Sequence, residues 1–298
     1  MNEEFTQNAL AHGEAGQQWL DSIPSLIRKY EKEWSLKVLP PFDLNYNYVA
    51  PVLLSDGSEA VLKIAFPGDK EFQSEIQALT LFNGRAVANI LRAEPKDAVA
   101  LIEKVQPGTP LSSLADDDEA TRILARLIKR IRQPLPANHN FITIADWSSA
   151  ISKFRQIFPT SNSLIPSHLL AKAEKLFETL IASSEPPVLL HGDLHHDNVL
   201  ASQGGEWLAI DPKGIAAEPS NEVAAMIRNP YEKLKNIADL EPLLRRRLLI
   251  LSQELELEAQ RLQDWCFAQT VLSAVWNVEG AKGPEHAVRV AEALINLK

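Results

Sequence analysis

The stretch LLHGDLHHDNVLA, residues 189–201, sets His191, Asp193, His195, His196, Asp197 and Asn198 within eight positions, and Asp211 follows in WLAIDPKG. A carboxylate can orient a hydroxyl and take its proton, while an amide oxygen and a second carboxylate are hard ligands for Mg²⁺ on a nucleotide triphosphate. Asp193 is therefore read as a base and Asn198 and Asp211 as Mg²⁺ ligands, the set that phosphoryl transfer from ATP requires. The competing reading is zinc held by the histidines. It needs further histidine ligands, and His12, His139, His168 and His286 show no pairing pattern. His191 is read as shaping the loop by hydrogen bonding. His195 and His196 face either substrate or solvent.

A second constellation lies in the first third. In EAVLKIAF, alternation puts Val61, Lys63 and Ala65 on one face of a strand. A strand lysine commonly snorkels to solvent. The next helix shifts that balance, because Phe72, Glu75, Ile76 and Leu79 share one stripe and a carboxylate among core positions needs a cation. Lys63 is its natural partner, and a Lys–Glu pair of this kind holds the α- and β-phosphates of ATP in kinases. Glu71 is expected in solvent.

These side chains need elements to carry them. Trp19, Leu20, Ile23, Ile27, Tyr30 and Trp34 recur at helical spacing over 14–34, with Pro24 predicting a kink or two shorter pieces. YVAPVLLSDGSEAVLKIAF reads as a hairpin around Ser55-Asp56-Gly57, 69–84 as a helix ending at Gly84, and 98–105 as a strand broken by Pro107-Gly108. Helices are expected over 117–132, 145–158, 167–183, 220–228, 241–262 and 263–279. One β-rich island, 187–212, holds three strands, with Asp193 after the first, Asn198 opening the second and Asp211 ending the third. The fold class is α+β and bilobal: an antiparallel sheet lobe over 1–103, a mainly helical lobe over 104–298, and a hinge near 103–108. Trp265 and Trp276, eleven apart, fall on one helical face and are assigned to core.

Of 298 residues, 30 are Lys or Arg and 39 Asp or Glu, a net charge of −9 that disfavours nucleic acid and favours a cationic small molecule. The single cysteine, Cys266, leaves no intrachain disulfide and no cysteine zinc site. No membrane partner is expected from the apolar runs, and the acidic start lacks the order of a signal peptide, so a cytoplasmic protein is expected. No Gly-x-Gly-x-x-Gly run precedes Lys63. The corresponding stretch is FDLNYNYVAPV, where Asn45 and Asn47 can take left-handed backbone for a tight turn. That departs from protein kinases and leaves small-molecule kinases open.

The chain resembles the aminoglycoside phosphotransferase family, in its streptomycin 6-kinase and hydroxyurea-kinase-like branch. HGDLHHDNVL, WLAIDPKG, NEVAAMIRNP, AVLKIAFP with SEIQAL, and ALIEKVQPG carry the resemblance, which spans nearly the whole chain. It implies a protein-kinase-like fold and transfer of phosphate from ATP, with Mg²⁺, to a hydroxyl of an antibiotic-like compound. It implies Asp193 as base, Asn198 and Asp211 as Mg²⁺ ligands, Lys63 on the phosphates and Glu75 positioning it. It further implies that the backbone around Glu103 and Val105 meets adenine under Val61. Lys213 keeps two readings, neutralising transferred phosphate or pairing Glu222, beside that of a solvent loop lysine. The family often has Gly-Asp-Pro where this chain has Ala217-Glu218-Pro219. Glu218 and Glu222, with His196, are candidates for contacting substrate, although acids at a helix start also complement its dipole. The alternatives are a metabolic kinase for a sugar or amino alcohol and a nucleotide-binding protein without turnover.

Overall fold

The computed structural model describes residues 2–158, 164–280 and 283–297. The chain divides into two compact units, Met1–Gly108 and Thr109–Lys298. In the first, α1 (Glu3–Leu10) and α2 (Glu14–Glu33) precede β1 (Leu36–Val38), β2 (Tyr48–Leu54) and β3 (Glu59–Ile64), then α3 (Lys70–Phe82), β4 (Ile90–Glu94) and β5 (Val99–Glu103). The five strands form one antiparallel sheet in the order β1-β2-β3-β5-β4. The hairpin turn closes where Asp-Gly predicts, with the Leu54 N–H donating to Ser58 O at 2.8 Å and the Gly57 N–H to Leu54 O at 3.0 Å.

The core of this unit joins the α2 stripe Trp19, Leu20, Ile23 and Tyr30 to Ala50, Val52, Ala60, Leu62 and Ile64 of the sheet. Helix α2 runs unbroken through Pro24. Helix α1, which the sequence reading does not foresee, supplies Phe5, edge-to-face on Trp19 at 5.4 Å. It also settles the stretch before β2: neither Asn45 nor Asn47 adopts left-handed backbone, and the Asn8 side chain instead donates to Asn45 O and Oδ1. Asp69 caps α3, and the left-handed residue ending it is Asn83, one before the expected Gly84.

Strand β6 (Pro107–Pro110) runs across the boundary at Gly108, followed by α4 (Asp117–Ile131), β7 (Gln133–Pro134), β8 (Ile142–Thr143), α5 (Ile144–Ile157) and α6 (Ser167–Ala182). Then come β9 (Val188–Leu190), β10 (Val199–Ser202), β11 (Trp207–Ala209), β12 (Ile215–Ala217), α7 (Ala224–Ile227), α8 (Tyr231–Leu234), α9 (Glu241–Leu255), α10 (Ala259–Glu279) and α11 (Glu285–Asn296). Helix α10 is buried almost all round and packs against α5, α6, α7, α9 and α11, so it reads as the central helix. The expected island of three strands is split between sheets. β9 lies in the order β7-β9-β12-β8, whereas β10 and β11 form a hairpin in the order β11-β10-β6. No helix among the described residues is long and apolar enough to cross a membrane.

Candidate active site

β9 ends at Leu190, and its exit carries the loop of Asp193. The backbone there is held from three sides. Glu222, in the 3₁₀ turn Pro219–Val223, accepts the N–H of His191 at 2.7 Å and that of Gly192 at 2.9 Å. His191 O accepts from the N–H groups of Lys213 and Gly214, at 2.8 and 3.1 Å. The buried His191 ring completes the loop: Nε2 donates to Ile210 O at 2.9 Å, and Nδ1 accepts from the Asp193 N–H at 3.3 Å. That pattern requires a neutral ring, and burial depresses its pKa to about 4. Gly192 has φ +84°, and a Cβ there would meet Ile215 Cγ1 at 3.0 Å. Only glycine fits without a shift.

Asp193 keeps its carboxylate partly exposed, with Oδ2 3.9 Å from His195 Nε2 and Oδ1 3.9 Å from Arg228 Nη2. Asn198 closes the 3₁₀ turn before β10 rather than opening the strand. Its Nδ2 donates to Asp193 O at 3.0 Å, and the amide oxygen is the end of the side chain that can serve as a ligand. Its own carbonyl accepts the Ile210 N–H at 2.9 Å, tying the residue before Asp211 to it. Asp211 lies two residues past β11 in left-handed backbone at φ +57°, a conformation Asp tolerates better than most residues. The second unit thus brings Asp193, Asn198 and Asp211 into one hydrogen-bonded frame. An amide oxygen and a carboxylate suit a hard cation that also keeps phosphate and water ligands, so the pair fits Mg²⁺. Among the described residues no group of three or more His, Cys, Asp or Glu side chains could hold a metal ion.

In the first unit, Lys63 on β3 and Glu75 on α3 form a buried ion pair, Nζ to Oε2 at 2.6 Å, each side chain 7% exposed. Lys63 is thereby fixed rather than snorkelling. Val61 pairs with Ile102 across β3 and β5, and Glu103 accepts from the backbone and side-chain N–H groups of Asn89, at 2.9 and 2.7 Å. Val105 is buried.

Three substrate candidates move inside. Glu218 is 2% exposed and accepts a fork from Arg261, Nε to Oε1 and Nη2 to Oε2, each 2.6 Å, together with the Trp265 indole N–H and the Glu185 N–H. Burial pushes its carboxyl up, but the Arg261 and Trp265 bonds outweigh that and leave it below the ordinary value. Glu222 is also 2% exposed and committed to the loop above. Both acids spend their carboxyl oxygens on hydrogen bonds within the fold. His196 is buried, and burial drives its pKa to about 3, so it is a neutral interior ring. Lys213 contributes its backbone to the loop and keeps a half-buried side chain. Trp265 is core as expected. Trp276 is only half-buried, edge-to-face with Trp147 at 5.2 Å.

Sequence reasoning passed over two arginines. Arg247 is 0% exposed and forks onto Asp117, Nε to Oδ2 at 2.9 Å and Nη2 to Oδ1 at 2.7 Å. Its Nη1 donates to the carbonyls of Met226, Ile227 and Asn229. Those carbonyls flank Arg228, the residue beside Asp193. A signal existed, since Arg247 shares a stripe with Leu244, Leu248 and Leu251.

Residues 38–280 match the model of the aminoglycoside/hydroxyurea antibiotic resistance kinase family. The chain is 29% identical over 295 residues to streptomycin 6-kinase of Streptomyces glaucescens, covering 96% of this chain and 94% of that one. It is 28% identical over 293 residues to hydroxyurea phosphotransferase of Kitasatospora aureofaciens, covering 95% and 82%. Among solved structures it is similar to an amicoumacin kinase in complex with AMP-PNP, Ca²⁺ and its ligand, with a TM-score of 0.65 and 16% identity over 90% of this chain and 91% of that one. The fold is protein-kinase-like, an antiparallel sheet followed by a mainly helical unit. With four-fifths of its length inside the family model and the loop of Asp193 built as described, the chain belongs to the aminoglycoside/hydroxyurea antibiotic resistance kinases.

Proposed function

We propose that this kinase transfers the γ-phosphoryl group of ATP to a hydroxyl of a small antibiotic-like molecule, with Asp193 as the base, in the cytosol where ATP is available. The observation that carries the reading is the contrast at residues 191–193. The backbone is bound at His191, Gly192 and Asp193, while the Asp193 carboxylate remains partly open. A rigid frame around an accessible carboxylate is what a positioned base requires.

The acceptor hydroxyl donates to Asp193, and its oxygen attacks the γ-phosphorus in line. The new O–P bond forms as the bond to the β-phosphate oxygen breaks, and the hydroxyl proton passes to the Asp193 carboxylate. The Lys63 ammonium, kept in place by Glu75, binds the α- and β-phosphates and offsets their charge. Asn198 Oδ1 and the Asp211 carboxylate would hold Mg²⁺, which when bound supplies Lewis-acid charge neutralisation on the phosphates. Residues 103–108 serve as the hinge segment, with the backbone of Glu103 to Val105 toward adenine and Val61 above it.

An ATP-turnover screen over streptomycin, hydroxyurea, aminocyclitols and common polyols tests this, with Asp193→Asn as the blank. The variant should bind nucleotide as the parent does and lose turnover by about 10²–10⁴-fold, the contribution of a positioned base. Undiminished phosphorylation by Asp193→Asn removes the residue from its role.

A further inference from the structure

Arg228 follows α7, and its guanidinium approaches the Asp193 carboxylate, as the His195 ring does from its own side. The separation, Nη2 to Oδ1, is 3.9 Å, too long for a hydrogen bond. The side chain is 15% exposed, and Nη1 donates to Ala224 O at 2.9 Å. Of five N–H donors on a guanidinium, one is therefore spent on that carbonyl, and the Nη2 end faces the base with donors to give.

The backbone of this arginine is unusually well held. Its carbonyl accepts from His286 Nε2 at 2.8 Å, and Arg247 reaches Met226 O, Ile227 O and Asn229 O at 3.0, 3.3 and 2.7 Å. A buried ion pair thus fixes where Arg228 stands. Meanwhile Glu218 and Glu222, the acids named from sequence as candidates for contacting substrate, are buried and engaged within the fold. The charge built beside the base is positive.

We infer that Arg228 is a specificity-determining residue that donates to a second oxygen neighbouring the reacting hydroxyl of the acceptor. A carboxylate and a guanidinium edge 3.9 Å apart present one acceptor and one donor side by side. A molecule that gives a hydroxyl hydrogen to Asp193 and offers an adjacent oxygen to Nη2 satisfies both. The class this selects is the vicinal diol or the N-hydroxy carbonyl, and hydroxyurea belongs to the second. A hydroxyl flanked only by hydrocarbon leaves the guanidinium without a new partner. The inference rests on Asp193 being the base.

The test is steady-state kinetics of Arg228→Ala, Arg228→Gln and Arg228→Lys with hydroxyurea and with streptomycin at saturating Mg·ATP. Loss of a charge-assisted hydrogen bond should raise the acceptor KM by about 10–100-fold while leaving the ATP KM within about twofold. Arg228→Gln, which keeps a neutral donor, should fall between the parent and Arg228→Ala. Added guanidinium salt at non-denaturing concentration should partly restore Arg228→Ala and leave the parent unchanged. If Arg228→Ala fails to fold, Arg228→Lys carries the same expectation, because a point charge does not reproduce the fork. An unchanged acceptor KM, or an equal rise in the ATP KM, overturns the inference alone. A parent enzyme that phosphorylates neither acceptor overturns the proposed function and takes this inference with it.

Discussion

Lys63 and Glu75 illustrate what a pair of residue types can reveal. They stand twelve positions apart, one on a strand face and one on a helical stripe, and the fold brings them to 2.6 Å in a nearly dry site. Breaking a buried pair by removing one member costs about 3–5 kcal/mol, whereas replacing both members is far cheaper. Glu75→Gln should therefore lower the urea midpoint more than the double variant Lys63→Met with Glu75→Gln does. A double variant as unstable as the sum of its singles would deny the coupling. The pair was legible because both residues belong to adjacent elements with strong periodicity. Arg261 and Trp265, which claim Glu218, lie 43 and 47 residues further along, and nothing local announces them. Burial of an acid against distant partners is therefore where reading by residue type goes astray.

At the level of elements, the 3₁₀ turn Pro219–Val223 and the loop after β9 form one unit through Glu222 and His191. Their protonation should show in stability. Burial raises the Glu222 carboxyl from 4.5 to about 8, against the two N–H groups it accepts, and lowers His191 from 6.5 to about 4. For Glu222 the folded state holds the extra proton, so its contribution is complete below 4.5 and is lost as pH rises through 8. For His191 the unfolded state holds it, so stability is lost as pH falls from 6.5 toward 4. The two oppose each other below 6.5, and above it Glu222 acts alone. Urea midpoints of the parent should decline between pH 6.5 and 8. Glu222→Gln removes the titrating group, at the cost of one of the two accepted N–H bonds at every pH, and should abolish that decline and expose the rise below it. A decline that persists in Glu222→Gln assigns the effect elsewhere. Element boundaries were read less well than element types. Expected helices 241–262 and 263–279 in fact part at residues 256–258, where Glu256 turns left-handed and Glu258 caps α10. Neither residue is a usual breaker, so no turn chemistry marked the break.

For the molecule as a whole, the net charge of −9 and the local charge beside Asp193 make separate demands on an acceptor. The first acts at long range and draws cations through solvent, and salt screens it over a Debye length of about 30 Å at 0.01 M and about 10 Å at 0.1 M. The second acts at contact, in a partly buried setting where salt reaches less. A cationic acceptor such as streptomycin should then lose kcat/KM by about 2–10-fold between about 0.01 and 0.1 M salt, through slower encounter. Neutral hydroxyurea feels only the contact interaction and should stay nearly flat over the same range. The Arg228 variants should shift the level of both curves without altering either slope. Parallel slopes for the charged and neutral acceptors would mean that the overall charge plays no part in delivery, and acceptor choice would then rest on contacts around Asp193 alone.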